Sequence, residues 1–405
     1  MACKTYELKI DSSHLSEETL ETLRRLFLEA KWFYNHLVAS GDVFHADYKT
    51  KAVQVKNKEG RFEARELVSL SSQMRQEIIQ RAKDSICGLA RLKQNGHRVG
   101  KLKFKSKVRS IPLKQYGKTY DVLGDNCKAR IQNVEQPLRV RGLDQIPEGA
   151  EYARATLEQR SWGYFLHVTT YQEPVELPSP KRAIGVDAGV RHQLTLSNGA
   201  RIDEGVPVPK RVKRLHRKLS RRTLRGKNWF RTNLNLGKEY NHLENQRVDI
   251  RHKVVSKLVS TYESIAVQDD NIAGWQRMWG RRVATSAIGG IMSDLKERAH
   301  TPIAVDRFEP TTKKCSGCED LNDMGLGERI YRCGECGLVI DRDLNAAIND
   351  WKEIPAERRE STPVDTKTAT ELMEYFNSIP GVSASLVEEA GSRLPATGAI
   401  GFDRR

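Results

Sequence analysis

Cys315-Ser316-Gly317-Cys318 is followed by Cys333-Gly334-Glu335-Cys336 and then by Asp341-Arg342-Asp343-Leu344-Asn345-Ala346-Ala347. Two CxxC knuckles across a short polar segment are the spacing of a four-thiolate zinc site, each sulfur filling one tetrahedral position. The knuckles alone would fit many zinc ribbons that catalyse nothing. Their neighbour gives them meaning, because Asp343 lies seven residues beyond the last cysteine. A structural zinc directly before an acidic strand or helix start is expected to pin a carboxylate rather than do chemistry itself. Asp341 reads as a capping acid or as one that supports the metal ligands from behind, with an exchange of roles with Asp343 left open, and Asn345 as a cap or as a group orienting Asp343.

Outward from this stretch, two further segments carry acids. Arg182-Ala183-Ile184-Gly185-Val186-Asp187-Ala188-Gly189 reads as a buried strand ending in an Asp and a glycine-bearing turn. Gln193–Ser197 and the turn Asn198-Gly199 then signal a hairpin. Ser264-Ile265-Ala266-Val267-Gln268-Asp269-Asp270 reads as a second buried strand with acids at its end. A carboxylate buried in such a strand is costly without a cation or several donors, so Asp187 predicts a metal. Asp187, the Asp269/Asp270 pair and Asp343 are distant in sequence and meet only if these strands and the final helix pack as in RNase H-like nucleases. Three carboxylates can hold two Mg²⁺ or Mn²⁺ ions, whose geometry oxygen ligands suit.

Bulk composition agrees. The 405 residues carry 68 Lys plus Arg against 52 Asp plus Glu, a formal net charge of +16 that predicts a polyanionic partner. No window approaches a membrane-spanning apolar run. The N-terminus has no apolar signal core, which predicts a cytoplasmic protein with Cys3, Cys87 and Cys127 as free thiols. Basic residues concentrate in two places. One is Lys101, Lys103, Lys105, Lys107 and Arg109 around Phe104, suited to phosphate tracking and stacking. The other is residues 210–227, with ten Lys or Arg and no acid, among them Lys210, Arg211, Lys213, Arg214, Arg217, Lys218, Arg221 and Arg222. Val212, Leu215 and Leu219 give this second segment a narrow apolar stripe, so it reads as a cationic helix needing a phosphate backbone nearby.

The first half reads as a β-rich module over 1–172 with a helical insertion over about 16–95. A strand over 5–10 leads to a helix capped by Ser16, with Leu20, Leu23, Phe27, Ala30, Tyr34 and Leu37 on one face. A second helix is expected from about Arg61 to Lys93. Residues 173–181 form a proline-rich linker. In the second half a helix is expected from Tyr240 to Tyr262, and Trp275 and Trp279 read as core packing. Residues 353–405 read as a tail, with a flexible connector from Pro355 to Pro363, one or two helical turns over Glu371–Phe376, and partial disorder.

The motifs Gly185-Val186-Asp187-Ala188-Gly189, Val267-Gln268-Asp269-Asp270-Asn271-Ile272-Ala273-Gly274-Trp275, the cysteine quartet and Asp341–Asn349 appear in one order. In this the chain resembles TnpB family RNA-guided nucleases and their descendants, the compact type V CRISPR effectors. The resemblance implies an α+β chain: a β-barrel-like wedge module with a helical recognition insertion, then an RNase H-like (RuvC) nuclease domain with an inserted zinc ribbon. The nuclease domain would occupy 182–310 and 338–352, and the ribbon 311–337. The implied activity is Mg²⁺-dependent, RNA-guided cleavage of double-stranded DNA beside a short flanking motif, by a monomer or a homodimer on one RNA. Asp187 and Asp343 take the first and third ligand positions, and Cys315, Cys318, Cys333 and Cys336 hold Zn²⁺.

The middle position departs from the family's commoner form, because Gln268 stands where an acidic Glu is expected. Asp269 is the nearest acid but faces the other side of an extended strand. Asp270 returns to the Gln268 face about 6.6 Å further along and is the expected ligand, with Asp269 as the alternative. The competing function is a nuclease-impaired, RNA-guided DNA-binding protein that represses without cutting. A transposase using a nucleophilic Tyr is disfavoured, since no such Tyr with a paired His motif is evident.

Overall fold

The computed structural model describes residues 2–387 except 58, 124–126, 174–181, 281–282, 284–286, 326, 360–362 and 364. All of the expected linker except Glu173, and the tail beyond residue 387, lie outside the described residues. The chain divides into two compact units, Met1–Val175 and Glu176–Arg405.

The first unit runs β1 (Ala2–Ile10), α1 (Glu17–Ser40), β2 (Ala52–Lys56), β3 (Phe62–Glu66), α2 (Ser72–Gln94), β4 (Ser110–Leu113), β5 (Tyr120–Leu123), β6 (Lys128–Ile131), β7 (Leu138–Arg141), β8 (Glu151–Arg160) and β9 (Gly163–Gln172). A seven-stranded antiparallel sheet has the order β4-β8-β9-β1-β7-β6-β5. No pairing of β4 with β5 closes it among the described residues, so the expected barrel is a sheet with two open ends.

Helix α1 starts where the sequence places it, with the Ser16 hydroxyl accepting the Thr19 N–H. The second helix starts later than expected. Phe62–Glu66 alternates and pairs antiparallel with β2, and α2 begins only after Ser71, whose hydroxyl accepts the Met74 N–H. Periodicity that is real from Leu70 onward does not extend back over this hairpin. Glu29, fully buried in α1, fixes the junction: it accepts the N–H groups of Ser69 and Leu70 at 2.9 and 2.8 Å and pairs with Arg25 at 2.7 Å. Side chains from β1, α1, α2 and the sheet share one core, so the helices expected as an insertion are packed on the strands they interrupt.

The second unit runs β10 (Ala183–Ala188), β11 (Leu194–Leu196), β12 (Ala200–Glu204), α3 (Lys210–Ser220), α4 (Lys227–Thr261), β13 (Ser264–Gln268), α5 (Ile272–Trp279), α6 (Ile288–Arg298), β14 (Thr301–Val305), β15 (Ile330–Arg332), β16 (Val339–Asp341), α7 (Arg342–Lys352), α8 (Thr366–Asn377) and β17 (Val382–Leu386). Its six-stranded sheet has the order β14-β13-β10-β11-β12-β17. The first three strands of this unit form an antiparallel meander, and β13 and β14 add parallel to β10. The Asn198-Gly199 turn joins β11 to β12 as expected, with Gly199 at φ 90°.

Alternation along β10 and β13 sorts their side chains onto two faces. Ile184, Val186, Ile265 and Val267 enter the main core with residues of α4, α6 and α8. Gly185, Asp187, Ala266 and Gln268 take the other face, against α7. The approach there is close: a Cβ on Gly185 would collide with the Ala347 carbonyl oxygen and the Trp351 nitrogen. Glycine is therefore required at 185 for the helix to rest on the strand.

Two expectations need correction. Helix α4 begins at Lys227, well before Tyr240. Residues 366–386, expected as part of a tail, are packed: α8 buries Ala369, Leu372 and Phe376 in the main core, and β17 pairs antiparallel with β12 as an edge strand. Its composition hid this, since an edge strand reading Val-Ser-Ala-Ser-Leu carries few apolar residues.

Candidate active site

Asp187 sits in β10, Asp270 just past the end of β13, and Asp343 in the first turn of α7. Asp187 lies within electrostatic reach of the carboxyls of Asp343 and Asp270. Burial pushes Asp187 well above the usual carboxylate range, the charges of Asp343 and Asp270 raise it further, and Arg342 opposes them. Burial likewise raises Asp270, against the pull of Lys296 and Arg307. Among the described residues no side chain or backbone N–H donates a hydrogen bond to the carboxyl of Asp187 or of Asp270. Asp343 is held differently, its Oδ1 accepting from the Arg342 guanidinium at 3.0 and 3.1 Å.

The start of α7 is fixed by Asp341. Its Oδ1 accepts the N–H groups of Asp343 and Leu344 at 3.0 and 3.1 Å, and its Oδ2 pairs with Arg201 of β12 at 2.6 Å. Of the roles open to Asp341 the capping one is present, and Arg201 ties that cap to the sheet.

Gln268 and Asp269 stand apart from the carboxyl group. The Gln268 amide donates to the carbonyls of Asp306 and Glu309 at 3.1 and 2.8 Å and accepts from Thr311 Oγ1 at 3.2 Å. Its side chain is spent on clamping the 306–311 loop. Asp269, the alternative middle ligand, pairs with Lys296 at 2.6 Å and Arg307 at 2.9 Å, which hold it down at about 2.

The four cysteines converge. Their sulfurs lie within 4.8 Å of one another, with Cys315 to Cys336 at 3.6 Å and Cys318 to Cys333 at 3.5 Å. Tetrahedral Zn–S bonds of about 2.3 Å place sulfurs about 3.8 Å apart, so the cluster is compatible with zinc. The boundary drawn at 337/338 cuts a hairpin, because β15 and β16 pair from Arg332↔Val339 to Ile330↔Asp341. The ribbon thus continues into the cap of α7.

Asn345 does not orient Asp343. Its Oδ1 accepts the Ser316 N–H at 2.9 Å and its Nδ2 donates to the Lys314 carbonyl at 2.8 Å. One turn on, Asn349 Nδ2 donates to the carbonyls of Thr311 and Lys314, both at 2.7 Å. The first cysteine knuckle is therefore latched onto the helix that carries Asp343. Sequence reasoning missed Asn349 and, further along the same helix, the buried Asp350. The signal was available, since residues 343 and 350 share one helical face.

The basic segments are placed as follows. Lys101, Lys103, Lys107 and Arg109 are exposed in an irregular stretch of the first unit. Lys105 is exposed as well, but it is tethered there. Asn35 of α1 brackets its backbone at 2.8 and 3.0 Å, and its ammonium sits 4.0 Å from the Tyr34 ring centroid. In the second unit α3 buries Val212 and Leu215 against α4. Lys210, Arg211, Lys213, Arg214, Arg217, Lys218 and Arg221 are exposed and Arg222 is half-buried. Arg211 pairs with Glu239 at 2.9 Å, and no acid pairs with the others among the described residues.

A protein-family description, "Probable transposase", matches residues 166–278, and another, "Cas12f1-like, TNB domain", matches residues 292–349. A Streptomyces pristinaespiralis protein named "Putative RNA-guided DNA endonuclease" is 24% identical over 61% of this chain and 64% of its own length. TnpB-like protein L79 of Acanthamoeba polyphaga mimivirus is 25% identical over 47% of this chain and 40% of its own length. The matches therefore span less than two thirds of these relatives. A cryo-EM structure of a Cas12f1-sgRNA-target DNA complex aligns with 87% of this chain and 99% of that one at 14% identity, with a TM-score of 0.28, too low to bear on the fold. Two family descriptions in succession, together with relatives named as TnpB-like proteins or RNA-guided DNA endonucleases, show that this chain is similar to the TnpB-like family.

Proposed function

We propose that the second unit is an RNase H-like (RuvC) nuclease domain with an inserted zinc ribbon, and that the chain is an RNA-guided DNA endonuclease. What supports this reading is that Asp187, from one remote segment, lies within electrostatic reach of Asp343 and Asp270 from two others, and that among the described residues the carboxyls of Asp187 and Asp270 accept no hydrogen bond. An antiparallel three-strand meander extended by two parallel strands beside its first strand supports the RNase H-like reading. The donor set is oxygen only, which fits Mg²⁺ or Mn²⁺. Divalent cations held there would activate water and stabilise the leaving oxygen of a phosphodiester.

The chain's own residues set the stage for that chemistry. Asp187, Asp270 and Asp343 would hold the cations, and Arg342 neutralises Asp343 until they arrive. Asp341 and Arg201 fix the helix start that carries Asp343. Cys315, Cys318, Cys333 and Cys336 would hold Zn²⁺, and through Asn345 and Asn349 the ribbon steadies the same helix. The exposed cations of α3 and of the 101–109 stretch would contact nucleic-acid backbone, with specificity left to base pairing. The names of the relatives and the Cas12f1-like description support an RNA guide and a DNA target.

The test is incubation of the chain and its co-purifying RNA with a plasmid bearing the complementary sequence and a randomised flank. Cleavage that needs both Mg²⁺ and RNA complementarity is expected. A second reading, RNA-guided DNA binding without cutting, is favoured by Gln268 being clamped away from the acids. Stable plasmid binding with no nicking would establish it instead.

A further inference from the structure

We propose that Asp350 is a further ligand of the divalent cations, supplying the carboxylate that Gln268 does not. The inference rests on the nuclease reading and adds a residue to its site. Asp350 lies in the last turns of α7 and is fully buried, yet neither of its carboxyl oxygens has a hydrogen-bond partner. A buried carboxylate without donors is among the least tolerated groups in a folded protein unless a cation compensates it. No Lys, Arg or His pairs with it among the described residues.

Its position says where that cation would be. Asp343 and Asp350 are seven residues apart, two turns along one helical face and about 10 Å along the axis. That separation is too long for one ion and suits the two ends of an ion pair about 4 Å apart. Asp187 is within electrostatic reach of Asp343, and Asp350 is within electrostatic reach of Asp187 and Asp270. Gly185 makes this possible: with no side chain there, the backbone at Ala347 and Trp351 lies directly on β10. Asp350, the residue before Trp351, is thereby carried to the strand on whose same face Asp187 stands. One ion would thus rest between Asp343 and Asp187, and the other between Asp187, Asp350 and Asp270.

The test titrates Mn²⁺ calorimetrically into the full-length, zinc-loaded chain, with Asp350→Asn, Asp350→Glu and Asp350→Leu as variants. A loss of at least about tenfold in Mn²⁺ affinity for Asn and Leu, with Glu retaining binding, is expected. In Mn²⁺-free buffer Asp350→Leu should melt at or above the wild-type temperature, because it removes a charge that only a cation satisfies. A clear fall in that melting temperature would assign Asp350 to the scaffold and overturn the proposal. Unchanged Mn²⁺ affinity in Asp350→Asn overturns it alone. Absence of Mn²⁺ binding by the wild type overturns it together with the nuclease reading.

Discussion

Asp187→Asn should slow guide-directed DNA cleavage about a thousandfold while leaving RNA and DNA binding within about threefold. An amide keeps the shape of the side chain but cannot carry the negative charge that holds a divalent ion. Losing such an ion removes several kcal/mol of transition-state stabilisation, and about 4 kcal/mol corresponds to a thousandfold. Asp187 is the most exacting position because the charges of Asp343 and Asp270 both reach it. The variant is expected to fold well, since among the described residues no hydrogen bond to the carboxyl is lost and a desolvated charge is removed. Single-turnover cleavage by saturating complex, with a gel-shift assay on the same preparation, separates chemistry from binding. Cleavage within tenfold of the wild type would remove Asp187 from the reaction.

Cys315→Ser should release one equivalent of zinc per chain and lower cleavage about ten- to a hundredfold, the usual range for disturbing the support of a metal ligand. Cys315 is fully buried and opens the knuckle that Asn345 and Asn349 hold against α7. Without the metal, the segment Thr311–Ser316 loses the sulfur anchors that keep its carbonyls facing those two amides. The helix start and Asp343 should loosen with it. Mass spectrometry counts the zinc, and the melting temperature should fall by several degrees. Full zinc content, or full activity without zinc, would contradict the proposed coupling between ribbon and acids.

Much of the second unit was legible because its signals are local and strong. The CxxC spacing, the Asn198-Gly199 turn, the apolar runs of β10 and β13 and the stripe of α3 each specify an element without tertiary help. Asp341 could be read as a cap from its place before an apolar helix. What stayed hidden depends on contacts between distant segments. Gln268 reads as a missing acid, and only the fold shows its amide spent on the 306–311 loop. Asn345 reads as a partner of Asp343 by proximity, whereas the helix turns it toward the first knuckle. The hairpin Ala52–Glu66 was hidden under helical periodicity that begins just after it, and β17 under a polar sequence stabilised by pairing with β12. Asp350 was overlooked because a single acid near a helix end ordinarily faces solvent; its complete burial is a property of the packing against Gly185.

The most direct measurement is the position of Mn²⁺ by anomalous scattering from crystals of the full-length chain soaked in the ion. Density coordinated by carboxylate oxygens of both Asp187 and Asp343 is the predicted result. Fully bound Mn²⁺ at other sites only, with none between these two residues, would contradict the account at its root.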